Sequence, residues 1–182
     1  NRRLAEIMES RGDEYLVLNL AARVAQRSGD TARARELLAR SLEVSPGEPS
    51  TLTQLCLLDL QEADSIKFQL GNMQQQASQG VAVDPAVVTQ LQERGREACA
   101  SALTSANAAA AAAPTVGSLH YWVGVSHQTS ASFATDQNAM GQSLQTALSS
   151  FQMALRLGCT EPEFNIQLAN LYAQMGRPRE LL

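Results

Sequence analysis

The chain contains a single lysine, Lys67, and its net charge is −4 with a pI near 5.2. Nucleic-acid grooves need a basic face, so this balance argues against a nucleic-acid partner. Nearly every other basic residue is arginine, a compositional bias and not a functional signal. No uninterrupted apolar run reaches the roughly 18 residues that a membrane-spanning helix requires. Charged residues make up 18% of the chain, below the usual quarter. Three cysteines, Cys56, Cys99 and Cys159, lie far apart, and no CxxC or Cys/His spacing points to zinc. They read as free, packed thiols and leave the redox compartment open. There is no GxSxG, P-loop, paired acid or Cys/His dyad, so neither catalytic residues nor a cofactor are expected. Alternation of β-branched residues is almost absent, which removes strands from the expectation.

What the chain does carry is helical period. Leu18, Ala21, Ala22 and Ala25 form one i, i+3, i+4, i+7 stripe, and Ala34, Leu37, Leu38, Ser41 and Leu42 a second. Between them stands RSGDT, in which Gly29 ends one helix and Asp30 or Thr31 caps the next. The second helix stops near VSPGEPS, making 15–48 a helical hairpin.

This unit resembles the tetratricopeptide repeat, a pattern of about 34 residues running W-x2-L-G-x2-Y, A-x3-F and P. Leu18 stands in the Trp slot, Ala21-Ala22 in the Leu-Gly slots, Ala25 in the Tyr slot, Ala34 and Leu38 in A-x3-F, and Pro46 closes the unit. The pattern returns at Ala147-x3-Phe151, followed by Ala154 and Leu155. It continues with Leu168-Ala169, Tyr172 and Gly176, where Thr160 and Glu163 suggest a capping box. Leu4, Ile7 and Met8 fit the end of a preceding repeat over 1–14, and RPRELL stops early in a helix. The expectation is a segment cut from a longer array.

The middle departs from the pattern. The repeat over 49–116 is twice the standard length. It opens with Leu52 and Leu55-Cys56, but the first strong breaker is SQGVAVDP, where Asp84-Pro85 starts a second helix. It reads either as two degenerate repeats or, preferably, as one repeat whose arms extend about 20 Å outward. In the second case Ile66, Leu70 and Met73 face Val87, Val88 and Leu91. The repeat over 117–160 carries its own insertion, TSASFATDQN, at the equivalent turn, and 161–182 starts a further repeat. Two insertions at equivalent turns emerge on one edge, where Phe68, Met73 and Phe133 are candidate contacts. The fold class implied is all-α: antiparallel helix-hairpin repeats stacked in a right-handed α-solenoid, with one elongated hairpin.

Both histidines fall in SLHYWVGVSH. His120 takes the Trp slot and His127 the Tyr slot, two turns apart on one face. Zinc-binding helical pairs sit four apart with a carboxylate, and no Asp or Glu occurs between Ser118 and Thr135, so packing is the expected role. Tyr121 and Trp122 have two readings: anchors in the concave groove, or packing against the next repeat. The resemblance further implies groove positions at Asn19, Arg23 and Gln26 in the first repeat, and at Gln167, Asn170 and Gln174 in the last. The lysine- and asparagine-rich carboxylate clamp of chaperone-binding members is missing.

The function expected is a non-catalytic protein–protein interaction scaffold, a subunit of a larger assembly. It would dock a protein partner through the groove, the projecting hairpin, or both. The alternative is an accessory region of a longer enzyme or of a secretion or biogenesis protein. The composition leans toward an exported, periplasmic bacterial setting. It is also compatible with a cytoplasmic one, and with a partner belonging to a membrane complex.

Overall fold

The computed structural model describes residues 14–176; of the expected end of a preceding repeat over 1–14, residues 1–13 (with Leu4, Ile7 and Met8) lie outside the described residues, as does the segment 177–182. Seven helices follow one another: α1 (Tyr15–Arg27), α2 (Thr31–Val44), α3 (Pro49–Ser78), α4 (Pro85–Ala112), α5 (Gly117–Ala131), α6 (Gln137–Arg156) and α7 (Phe164–Gln174). Among the described residues there is no strand, and no helix is long and apolar enough to cross a membrane.

The helix starts follow from their caps. The Asp30 carboxylate accepts from the Arg33 amide at 3.0 Å, Asp84 from Ala86 at 2.9 Å and Asp136 from Ala139 at 2.8 Å. Pro49 and Pro85 occupy first-turn positions, where a missing N–H costs nothing. Gly29 ends the first turn with φ +82°, a conformation that L side chains rarely adopt. Thr160 and Glu163 make no capping box: α7 starts at Phe164, and its N-cap Glu163 has no side-chain cap bond.

The chain is an all-α solenoid built from antiparallel hairpins. α1 pairs with α2, α3 with α4, and α5 with α6. The odd-numbered helices touch in sequence, α1 with α3, α3 with α5 and α5 with α7, and so form a continuous inner layer. The even-numbered helices lie outside and do not touch one another among the described residues.

α3 and α4 run unbroken for 30 and 28 residues, about 45 and 42 Å at 1.5 Å per residue. Their arms enclose a small core of Ala63, Ile66, Leu91, Ala98 and Cys99, with Leu70 and Met73 beside it. Val87, expected to face into this hairpin, is instead exposed. The main core lies between the layers. Leu52, Cys56, Leu60, Ala102, Ala106, Ala109, Leu119 and Val123 join α3, α4 and α5. Tyr121, Leu144, Ala147, Leu148, Phe151, Phe164 and Leu171 join α5, α6 and α7. Gly124 permits the second: a Cβ there would lie 2.6 Å from two ring carbons of Phe151, which is fully buried. Leu155, expected on the packed stripe with Ala154, is exposed, while Ala154 is completely buried.

Phe133 corrects the expectation for the second insertion. It does not project; it is 5% exposed, and its ring lies across Gly95 of α4. A Cβ on Gly95 would sit 2.1 Å from Phe133 Cε1. The insertion therefore folds back and closes the hairpin core, because a bulky apolar ring beside a bare helical backbone gains more by burial than by exposure.

Candidate docking cleft

A cleft of about 380 Å³ opens between α3, α5 and α7 of the inner layer. Asp64 and Lys67 line it from α3, Val125, Gln128 and Thr129 from α5, and Gln167, Asn170, Ala173 and Gln174 from α7. The α7 carboxamides at 167, 170 and 174 are spaced i, i+3, i+7 and so share one face. The cleft offers neutral donors and acceptors in quantity, with one cation and one anion at its α3 wall.

Gln128 is the unusual member. It is 6% exposed, and its Nε2 donates to Gln174 Oε1 at 3.3 Å. Among the described residues no group is a hydrogen-bond partner of its buried Oε1. Turning the amide over only moves the vacancy to the other end. A buried polar atom left unpaired costs about 1–3 kcal/mol. Among the described residues the one hydrogen bond of its side chain runs to an exposed residue at the end of α7, which a competing donor or acceptor can displace. Sequence reasoning did not single out Gln128. The available signal was its place four residues after Gly124, one turn beyond the glycine that lies against Phe151.

Gln167, Asn170 and Gln174 thus come together at this cleft. The α1 residues do not join them. Asn19 corrects the expectation of a groove position: it is 6% exposed and locked in a buried cluster. Its Nδ2 donates to Thr51 Oγ1 at 2.9 Å and to Ser50 Oγ at 3.2 Å, and Thr51 also lies 3.0 Å from Ser41 Oγ. Gln26 is tied to Gln61 at 2.8 Å, and Arg23 is exposed.

Tyr121 is likewise no groove anchor. It is 2% exposed, with ring centroids 5.8 Å from Phe151, 5.9 Å from Phe164 and 4.9 Å from Trp122. Burial pushes its phenol up to about 12. The physical reason is α7: Phe164 brings a further ring against α5, so the position after the Trp slot is covered. Trp122 is half-buried and rests edge-on against Tyr121, between the two main core clusters.

The titratable groups are held in packing. The His120 ring nitrogen pairs with the Pro114 carbonyl at 2.9 Å. His127 is half-buried, and burial holds it below its ordinary value of 6.5. Burial raises the Cys56 thiol to about 11 and the Cys99 thiol to about 12, so both stay protonated. Among the described residues no group of three His, Cys, Asp or Glu is arranged to hold a metal ion.

A second hollow, about 550 Å³, opens between the hairpin arms, lined by Leu70, Met73 and Ala77 on one side and Val83, Pro85 and Val88 on the other. Met73 is half-buried within it. Phe68, two residues before Leu70, is 70% exposed.

No family model matches the chain, and no curated protein matches it in sequence. Among solved structures it is similar to MamA, residues 41 to the end, from Desulfovibrio magneticus RS-1. That alignment has 14% identity, covers 93% of this chain and 89% of that one, and has a TM-score of 0.37.

Proposed function

We propose that this chain is a non-catalytic scaffold that docks a protein partner in the inner cleft between α3, α5 and α7, as a subunit of a larger assembly. The observation that carries the reading is the buried carboxamide oxygen of Gln128, without a partner among the described residues, at a cleft lined by three further carboxamides. A carboxamide both donates and accepts, as a peptide group does, so the cleft matches main-chain or amide-bearing segments of a partner. Its scarcity of charge suits a contact that survives salt. The resemblance to tetratricopeptide repeats supports the same reading at the level of class. The projecting hairpin, with Phe68 exposed and Met73 at its apolar hollow, is a second candidate contact.

The sole lysine of the chain, Lys67, lines the cleft and makes the test direct. The chain is captured from its source at low and then high salt and treated with an amine-reactive cross-linker. A stoichiometric partner retained at high salt and cross-linked at Lys67 is the expected result, with loss of that cross-link in the Gln128→Met, Asn170→Leu double variant. A partner joined only through a photo-cross-linker at position 68 moves the site to the hairpin. Recovery of this chain only as part of a longer catalytic polypeptide overturns the subunit reading.

A further inference from the structure

The boundary between the first hairpin and the second differs from the others. α1 and α2 touch the rest of the described chain through α3 alone. Only Leu55 and Leu58 of α3 enter the apolar cluster of the first hairpin. By contrast α3, α4 and α5 share one uninterrupted cluster, and α5, α6 and α7 another. Leu42 of α2 also packs against the cluster that joins α3, α4 and α5. The remaining links to α3 are polar: Gln26 of α1 donates to Gln61 at 2.8 Å, and two denser groups lie along the helix. At one end, Asn19, Ser41 and Thr51 form a buried hydrogen-bonded knot. Further along, Arg35 of α2 forks onto Asp59 and Glu62 of α3, meeting Glu62 at 3.0 Å, and Arg94 of α4 reaches Glu62 from the other side at 3.2 Å. Thr51 and Glu62 are eleven residues apart on one helix, about 16 Å.

A dry, buried knot is rigid and insensitive to salt. The ion pairs are not equally protected: the side chains of Arg35, Glu62 and Arg94 are 36%, 38% and 53% exposed, and only Asp59, at 6%, is covered. Exposed pairs lose most of their attraction as ionic strength rises. α2 and α4 do not touch, so the two arginines span the gap between them over a floor of carboxylates, next to a small hollow of about 200 Å³.

We propose that this boundary is a hinge, with the Asn19–Ser41–Thr51 knot as its pivot and the Arg35–Asp59–Glu62–Arg94 chain as a clasp that sets the angle of the first hairpin. Opening the clasp swings α1, and with it Arg23, relative to the cleft on α5 and α7. The curvature of the inner face is then adjustable by ionic strength, or by a charged partner that competes for Arg35 or Arg94. The hinge stands on its own geometry, whether or not the cleft docks a partner, and the test needs no partner.

Spin labels at Arg27→Cys and Asn107→Cys, in a Cys159→Ser background, report the distance across the boundary by pulsed electron resonance. A control pair at Asn107→Cys and Asn138→Cys spans the body built on the continuous cores. At low salt the boundary pair gives one narrow distance distribution. In Glu62→Gln, and separately in the unsubstituted clasp at about 1 M salt, where the screening length falls to about 3 Å, a second, displaced population appears while the control pair stays unchanged. If the boundary distribution is unaffected by both treatments, apolar packing alone fixes the angle and the hinge is refuted. If the control pair shifts as well, the whole array has loosened and the clasp has no special role.

Discussion

Replacing Gln128 with methionine, which has nearly the same length and volume, removes the unpaired carboxamide without opening a cavity. Two contributions oppose one another. The buried unpaired Oε1 costs the folded chain about 1–3 kcal/mol, and that cost disappears. The bond to Gln174 at 3.3 Å is lost as well; a neutral hydrogen bond contributes about 0.5–1.5 kcal/mol net, and this one is long and ends on an exposed residue that water can satisfy. The balance is a gain of about 1 kcal/mol, or roughly 2–4 °C in melting temperature for a chain of this size. Thermal and urea unfolding of the two proteins measure it. Gln128→Glu is the companion variant: it places a carboxylate where no counter-charge is bonded, and should lower stability by several kcal/mol or titrate upward. If Gln128→Met lowers stability by 1 kcal/mol or more, the carboxamide is fully satisfied in the folded chain. The physical basis for a vacant docking contact then fails with it. A residue that costs stability where an isostere would not is the pattern expected of a binding site, since selection tolerates the cost for function.

Five further outcomes follow from the same structure. Gly124→Ala should destabilise by about 2 kcal/mol, because overpacking against Phe151 outweighs the roughly 1 kcal/mol gained in helix propensity. Gly71→Ala, which meets nothing within 4 Å, should stabilise by about 0.5–1 kcal/mol, and urea midpoints compare the two. Asp30→Ala removes the α2 cap bond and should cost about 1 kcal/mol in the same assay. Because burial holds His127 below 6.5, the unfolded chain takes up its proton more readily. Its contribution to stability is complete above that value and is lost as pH falls through the folded-state value, so His127→Leu should flatten the acid limb of a stability–pH curve. Finally, mass spectrometry after brief iodoacetamide treatment should find Cys159, which is half-buried, modified before Cys56 and Cys99, which are buried.

The hairpins were legible because their stripes of small and large apolar residues repeat with the helical period. Leu18, Ala22, Ala34, Leu38, Ala147 and Phe151 are all essentially buried. What period cannot supply is the number of neighbours a helix has. α5 buries Leu119, Tyr121, Val123, Gly124, Ser126, Gln128 and Ala131, positions that go most of the way round a helix, because α3, α4, α6 and α7 all touch it. The absence of Asp and Glu between Ser118 and Thr135, read in the sequence as a sign of packing, fits this placement, since little of α5 meets water. Of the two readings open for Tyr121, groove anchor or packing against the next repeat, this burial selects packing. Phe133 was misplaced because a turn insertion reads as projecting unless something is seen to receive it. The receiver was in the sequence, a bare glycine at 95 inside a helical run, but nothing in one sequence pairs residues 38 positions apart.

The polar residues inside the inner layer have a common logic. Among the described residues the buried polar or charged side chains are Asn19, Ser41, Thr51, Asp59, Ser126 and Gln128. Asn19 and Ser41 meet Thr51 across the first boundary between hairpins, and Asp59 meets Arg35 there too. Ser126 meets Cys56 across the next boundary at 3.4 Å, and Gln128 meets Gln174 across the last. Alanine-rich stripes pack almost equally well after sliding by one helical turn, so apolar burial alone leaves the register between neighbours weakly specified. A polar pair is different, since sliding strands its buried member in a dry site at about 1–3 kcal/mol. Each boundary therefore carries such a contact, and an added stability cost falls on register errors and not on the native stack. Among the described residues Gln128 alone has a buried side-chain atom left without a partner. The same rule that makes the other pairs internal locks makes its free end the place where a segment from outside gains most by binding.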